Sequence, residues 1–85
     1  MVVRIIGLKD VDFTNKEGER IKGTNLFYTY EPFDDATVVG RLADKVFIRD
    51  SSKVEFPRID IDTDYEFIYE FTGKRAILTR IVPVD

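Results

Sequence analysis

Residues 59–69 read Ile-Asp-Ile-Asp-Thr-Asp-Tyr-Glu-Phe-Ile-Tyr, the clearest periodic pattern in the chain. Its side chains alternate with the two-residue period of a β-strand. One face carries Ile59, Ile61, Thr63, Tyr65, Phe67 and Tyr69, and the other carries Asp60, Asp62, Asp64, Glu66, Ile68 and Glu70. Because all but one of the residues on the second face are acidic, the pattern predicts a half-buried strand with a solvated acidic face.

Four other strands are predicted from runs of β-branched and aromatic residues at 2–8, 25–30, 45–49 and 75–82. Residues 10–23 form either a loop or the tip of a protruding hairpin. Residues 37–42 fit a strand or one short helical turn. The segment Phe71-Thr72-Gly73-Lys74 predicts a tight turn before the last strand.

Five short strands separated by frequent turn signals predict an all-β protein. The 85 residues leave room for a single domain, 1–85. We expect a small five-stranded OB-like Greek-key barrel with protruding hairpins, since closing the sheet removes its exposed edges.

The composition excludes several classes of catalytic and metal site. The chain contains no cysteine and no histidine, which excludes thiolate and imidazole metal ligands and the Ser–His and Cys–His catalytic pairs. The run Asp60-x-Asp62-x-Asp64 does not match a calcium loop, because Tyr65 and Phe71 stand where that loop needs glycine and a carboxylate. We therefore expect a non-enzymatic protein with no catalytic residues, metal or cofactor.

Hydropathy gives no sign of membrane association. No apolar run approaches the roughly 20 residues of a transmembrane helix. The N-terminal apolar stretch is too short for a signal peptide. The expected location is the cytoplasm, without a membrane partner.

Charges and aromatic residues are unevenly distributed. The formal net charge is −3, but residues 74–80 contain three bases and no acid. The strand at 25–30 places large side chains on both of its faces, and Phe71 precedes a turn that also carries Lys74. Aromatic rings that stack on bases, flanked by cations that contact phosphates, are typical of proteins that bind single-stranded nucleic acid.

The spacing of several short motifs resembles a known family. These motifs are Phe13-Thr14, the glycines at 18 and 23, the Phe71 hairpin and the ending Arg80-Ile81-Val82-Pro83. Together they resemble the helix-destabilising, single-stranded DNA-binding proteins of filamentous phages, the gene V protein type. The match covers roughly half of the chain, and residues 31–59 agree only in pattern. The resemblance implies a five-stranded OB-like barrel, a two-fold dimer and cooperative coating of single strands.

The resemblance also implies roles for individual residues. Lys16 and Arg80 stand at basic DNA-contact positions, and Phe71 stands at the hairpin tip that reaches the DNA on the partner subunit. Leu26 and Tyr28 lie on the strand where the family has a leucine and a tyrosine in contact with DNA. This sequence departs from the family at Ile21 and Leu78, which stand where the family has arginines, and at Asp34, where it has an aromatic residue.

The sequence thus predicts a largely sequence-independent, single-stranded DNA-binding protein that forms a homodimer, with RNA as an alternative ligand. The expected nucleic-acid contacts are Lys16, Arg20, Lys22, Leu26, Phe27, Tyr28, Phe71, Lys74 and Arg80. The alternative is a protein-interaction or structural β-barrel that has lost nucleic-acid binding, which the acidic net charge favours.

Overall fold

The protein folds as one antiparallel sheet. A computed structural model describes residues 1–84. The strands are β1 (Val2–Thr14), β2 (Arg20–Tyr30), β3 (Leu42–Arg49), β4 (Thr63–Thr72) and β5 (Arg75–Pro83), in the order β3-β2-β1-β4-β5. This confirms the all-β prediction. Residues 1–84 form no helix that is long and apolar enough to cross a membrane.

The segment at 10–23 is a hairpin, which was one of its two predicted structures. β1 and β2 remain paired as far as Thr14 and Arg20. The side-chain oxygen of Asn15 accepts hydrogen bonds from the backbone N–H groups of Glu17 and Glu19, at 3.0 and 2.9 Å. This Asx-type turn holds the five-residue tip in place of strand pairing. Residues 37–41, by contrast, form neither strand nor helix, and β3 begins at Leu42.

The acidic strand is shorter than its sequence pattern predicts. β4 begins at Thr63, because Asp62 adopts a positive φ of 61° that ends the extended backbone. Aspartate tolerates this left-handed conformation better than most residues. Tyr65 and Phe67 are buried as the alternation predicted, but residues 59–62 lie outside the strand.

The core lies on one face of the curved sheet. It consists of Val3, Ile5, Leu26, Tyr28, Ile48, Tyr65, Phe67 and Ile81. The Tyr28 ring meets the Phe67 ring edge to face, with the ring centroids 5.0 Å apart. Burial raises the pKa of the Tyr28 hydroxyl to about 12. No charged side chain among residues 1–84 is buried.

The sheet does not close into a continuous barrel within the described chain. β3 and β5 are its end strands and do not pair with each other. After β3 the chain crosses to β5, where the Glu55 N–H donates to the Thr79 carbonyl at 3.1 Å and the Ile81 N–H donates to the Glu55 carbonyl at 2.8 Å. One isolated parallel bridge, Glu55 to Arg80, therefore bonds the crossing segment to β5.

Two phenylalanines on β4 provide a matched test of this core. Phe67 is 1% exposed and Phe71 is 81% exposed. We expect Phe67→Ala to lower the free energy of unfolding by about 3–5 kcal/mol, because it leaves a cavity. Phe71→Ala should change it by less than about 0.5 kcal/mol. Urea denaturation measures both, and equal losses would contradict this assignment of the core.

Candidate nucleic-acid interface

The candidate interface is the face of β1, β2 and β3 that points away from the core. Leu26 and Tyr28 of β2 point inward, so the alternate residues of that strand point outward. Residues directly opposite each other in an antiparallel pair share a face. The registers therefore define an outer face made of Arg4, Gly7, Lys9, Val11 and Phe13 of β1, Ile21, Gly23, Asn25, Phe27 and Thr29 of β2, and Ala43, Lys45, Phe47 and Arg49 of β3.

Strand alternation separates the charges. Four outer-face residues are basic, namely Arg4, Lys9, Lys45 and Arg49, and no outer-face residue is acidic. The acids of the same strands, Asp10, Asp12 and Asp44, alternate with them and point to the other side. A chain of net negative charge thus presents one face whose strand positions carry only positive charge.

The outer face also carries three phenylalanines. Phe13 and Phe47 are 49% and 38% exposed, and Phe27 is half-buried. The Phe47 ring lies directly over Gly23, where an added Cβ would be only 2.7 Å from two ring carbons. The Phe27 side chain lies over Gly7 with ordinary van der Waals spacing, 3.7 Å from an added Cβ. The Phe47 ring therefore depends on glycine at position 23, whereas the Phe27 ring would also accommodate a Cβ at position 7.

A shallow groove of about 410 Å³ runs between two of these rings. It is lined by Val11, Phe13, Ile21, Asn25, Phe47 and Arg49. All six residues belong to the outer face, and four of them are apolar. The groove is within the size range of small-ligand sites.

Ion pairing leaves the lysines as the available cations. Arg4 donates to Asp64 at 2.9 Å, and Arg49 lies 2.7 Å from Glu19. The Arg4 guanidinium holds the pKa of the Asp64 carboxyl below its usual value. Lys9 and Lys45 form no salt bridge with residues 1–84, so their ammonium groups can contact an anionic ligand directly.

The predicted contacts on the first hairpin separate into different environments. Phe27 lies on the outer face and Lys16 lies in the exposed turn that ends the β1–β2 hairpin. Arg20 and Lys22 point to the opposite side of the hairpin, where Arg20 donates to both carboxylate oxygens of Asp12 at 2.9 and 2.8 Å. This pairing lowers the pKa of the Asp12 carboxyl.

Two predicted contacts belong to the core. Leu26 has no exposed surface and Tyr28 is only 7% exposed. A buried side chain has no free surface on which a base could stack, so both are assigned to packing. The sequence alone does not identify the inward face of β2, because large apolar side chains occupy both faces.

The remaining predicted contacts lie at the other end of the molecule. β4 pairs with β1 only at Val2–Ile5 and then continues past the start of β1. Its hairpin with β5, which carries Phe71 and Lys74, therefore points away from the Lys16 turn. Arg80 lies on β5, 3.9 Å from Glu55. Within one molecule, Lys16, Phe71 and Arg80 do not converge on one groove.

Sequence reasoning missed several residues of the outer face, namely Lys9, Phe13, Asn25, Lys45, Phe47 and Arg49. A signal was present in the segment 9–13, Lys-Asp-Val-Asp-Phe, which alternates acids with apolar or basic residues. The segment 45–49, Lys-Val-Phe-Ile-Arg, contains no acid, but its two-residue period places Lys45 and Arg49 on the same face as Phe47. Recognising the pattern at 9–13 requires the first strand to extend beyond residues 2–8, the apolar run from which it was predicted.

Residues 1–84 contain no cluster of three or more Asp, Glu, His or Cys side chains arranged to hold a metal ion. Comparison with known proteins adds no relative, since no family model, curated protein or solved structure matches the chain.

The two ring–glycine contacts predict different responses to the same substitution. At Gly23, an added Cβ would clash with the Ile48 carbonyl oxygen as well as with the Phe47 ring. We expect Gly23→Ala to lower the free energy of unfolding by about 1–3 kcal/mol through overpacking. Gly7→Ala should lower the free energy of unfolding by clearly less, because its Cβ contacts only Phe27, at 3.7 Å. Urea denaturation compares the two variants, and equal costs would argue against the position of the Phe47 ring.

Proposed function

We propose that this protein binds single-stranded DNA on the outer face of β1, β2 and β3, without catalysing a reaction. Bases stack on Phe27 and Phe47, and phosphates contact Lys9, Lys45 and Lys16. The observation that carries the proposal is that one face of a small sheet carries three phenylalanines and four basic residues but no acidic residue.

The arrangement of these residues suits a single strand. Phe27 lies opposite Lys45, and Phe47 lies opposite Asn25 one step along β2 on the same face. The two rings are therefore diagonal neighbours, with Cα atoms about 7–8 Å apart. Successive unstacked bases can each occupy one ring, and stacking is worth about 1–3 kcal/mol per base.

The strand topology supports an OB-like interpretation. OB folds are partly open five-stranded barrels that bind oligonucleotides on the face of strands 2 and 3 and with the loops between strands 1 and 2 and between strands 4 and 5. Here β2 and β3 carry Phe27 and Phe47, and the corresponding two turns carry Lys16 and Lys74. We propose that the segment around Glu55 completes a barrel of this type by bridging to β5.

A homodimer accounts for the distant second hairpin. Phe71 is 81% exposed and points away from the outer face of its own molecule. In a two-fold dimer, this hairpin can lie beside a DNA strand that is bound to the other subunit. Analytical ultracentrifugation tests the dimer, and a monomer at all concentrations would remove Phe71 and Lys74 from the interface.

A protein-interaction domain is the second candidate function. Phe33 is 97% exposed and Val39 is fully exposed, both in the connection between β2 and β3. Exposed apolar side chains of this kind are typical of protein-binding surfaces. This candidate places the binding energy in residues 31–41, away from the phenylalanines of the outer face.

Aromatic substitutions distinguish the two functions. We expect Phe27→Ala and Phe47→Ala each to weaken oligo-dT binding by about 1–3 kcal/mol, because each removes a stacking platform. Phe33→Ala is the matched control and should leave the affinity unchanged. Fluorescence anisotropy with a labelled oligonucleotide measures all three, with urea denaturation confirming that each variant is folded.

The salt dependence gives an independent readout in the same assay. The logarithm of the association constant should fall linearly with the logarithm of salt concentration, by about 0.7 per phosphate contacted. Lys9→Gln and Lys45→Gln should each reduce this slope, whereas Lys53→Gln, off the outer face, should not. If oligo-dT does not bind even at low salt, the DNA proposal fails.

The Arg49–Glu19 ion pair predicts a gain of affinity. Glu19 occupies the guanidinium at 2.7 Å, so Arg49 is not free to contact a phosphate. We expect Glu19→Gln to strengthen oligo-dT binding and to steepen the salt slope by about 0.7, the value for one more phosphate contact. Glu17→Gln removes the same charge from the same turn without freeing an arginine, so it should leave the slope unchanged. Identical slopes for the two variants would contradict a role for Arg49.

A further inference from the structure

Asn25 is a polar residue in an otherwise largely apolar groove. It lies at the centre of the outer face, opposite Lys9 on β1 and opposite Phe47 on β3. Its side chain is half-buried and lines the 410 Å³ groove. Within residues 1–84 its amide takes part in no side-chain hydrogen bond. The amide therefore has a free donor and a free acceptor.

The chemistry of the groove selects a flat ring with a polar edge. Val11, Phe13, Ile21 and Phe47 supply apolar walls. The Asn25 amide supplies one N–H₂ donor and one carbonyl acceptor side by side. A ligand with apolar faces can pack between these walls, and an edge that carries both an acceptor and a donor can hydrogen-bond the Asn25 amide. A nucleobase has this form, whereas a phosphate has only acceptors and no apolar face.

We propose that the groove takes one unpaired nucleobase and that Asn25 hydrogen-bonds its Watson–Crick edge. The inference rests on the proposed function and adds to it a residue that determines specificity. Each of the four bases offers a donor next to an acceptor on that edge. In a duplex the edge is already paired, so Asn25 selects single strands over duplexes and does not select one base. Unstacked bases are recognised at their Watson–Crick edges in this way in single-stranded RNA complexes.

This role differs from that of the other residues of the outer face. Stacking on Phe27 and contacts to the lysines depend on the π-face of a base and on phosphate charge, which all sequences share. Phosphate charge is also present in duplex DNA. Hydrogen bonding at the groove is the one contact here that requires the base edge to be unpaired.

The test compares oligo-dT with an oligonucleotide of equal length made of N3-methylthymidine, which lacks the Watson–Crick N–H donor. Wild-type protein should bind oligo-dT more tightly by about 5-fold per hydrogen bond lost. Asn25→Leu keeps the approximate size of the side chain and removes the amide. This variant should bind both oligonucleotides with the same affinity, near that of the wild type for the methylated one.

Thr29→Val is the control on the same face of β2, since it removes a hydroxyl that lies outside the groove and accepts a hydrogen bond from Arg41. It should keep the full preference of the wild type for oligo-dT. A competition assay with duplex DNA adds a second readout. In it, Asn25→Leu should lower the ratio of the affinity for single-stranded DNA to the affinity for duplex DNA.

The outcomes separate this inference from the proposed function. If oligo-dT binds with the expected salt dependence but wild type does not distinguish the methylated strand, the role of Asn25 is overturned and DNA binding stands. If Asn25→Leu retains the preference of the wild type, the inference is likewise overturned. The absence of any oligonucleotide binding at low salt overturns both. The comparison within wild type does not depend on the folding of any variant.

Discussion

The edge-to-face contact between Tyr28 and Phe67 joins two strands that are not neighbours in the sheet and fixes which face of β2 is buried. β2 and β4 are not neighbours in the sheet, since β1 lies between them. Their rings meet because the sheet curves around a common core. With Tyr28 inside, Asn25 and Phe27 must point outward, and a shift of one residue in β2 would exchange every inward and outward side chain. The contact therefore determines both the core and the composition of the outer face.

The electrostatic character of the outer face follows from the same alternation. Asp10 and Asp12 interrupt the sequence of β1 only at positions that point away from Lys9, Val11 and Phe13. Overall charge is a poor guide to such a protein, because a ligand meets one face and not the average of the chain. Ion pairs reduce the number of available cations, because Asp64 and Glu19 pair with the two arginines of the outer face. Its two lysines form no such pair within residues 1–84.

The two hairpins illustrate a limit that antiparallel geometry places on a single subunit. β1 pairs with β2 along most of its length, but with β4 only near its start. The two hairpin tips therefore extend in opposite directions, and no side-chain rotation can bring Phe71 to the Lys16 turn. In our proposal, the two hairpins contact one strand of DNA from different subunits.

The amino-acid sequence alone was enough to predict the all-β class, the strand at β4 and the hairpin turns, and to exclude thiolate, imidazole and Ser–His chemistry. These depend on composition and on local periodicity, which a short window of residues contains. Only the tertiary structure decided that β4 starts at Thr63, that Leu26 and Tyr28 belong to the core, and that Lys9, Asn25, Lys45 and Phe47 share a face. These features escape a local pattern because each face of β2 carries a large apolar side chain, Phe27 on the outer face and Leu26 and Tyr28 on the inner one. Which face is buried depends on the register with β1 and on the packing against Phe67, and both contacts join residues distant in the chain.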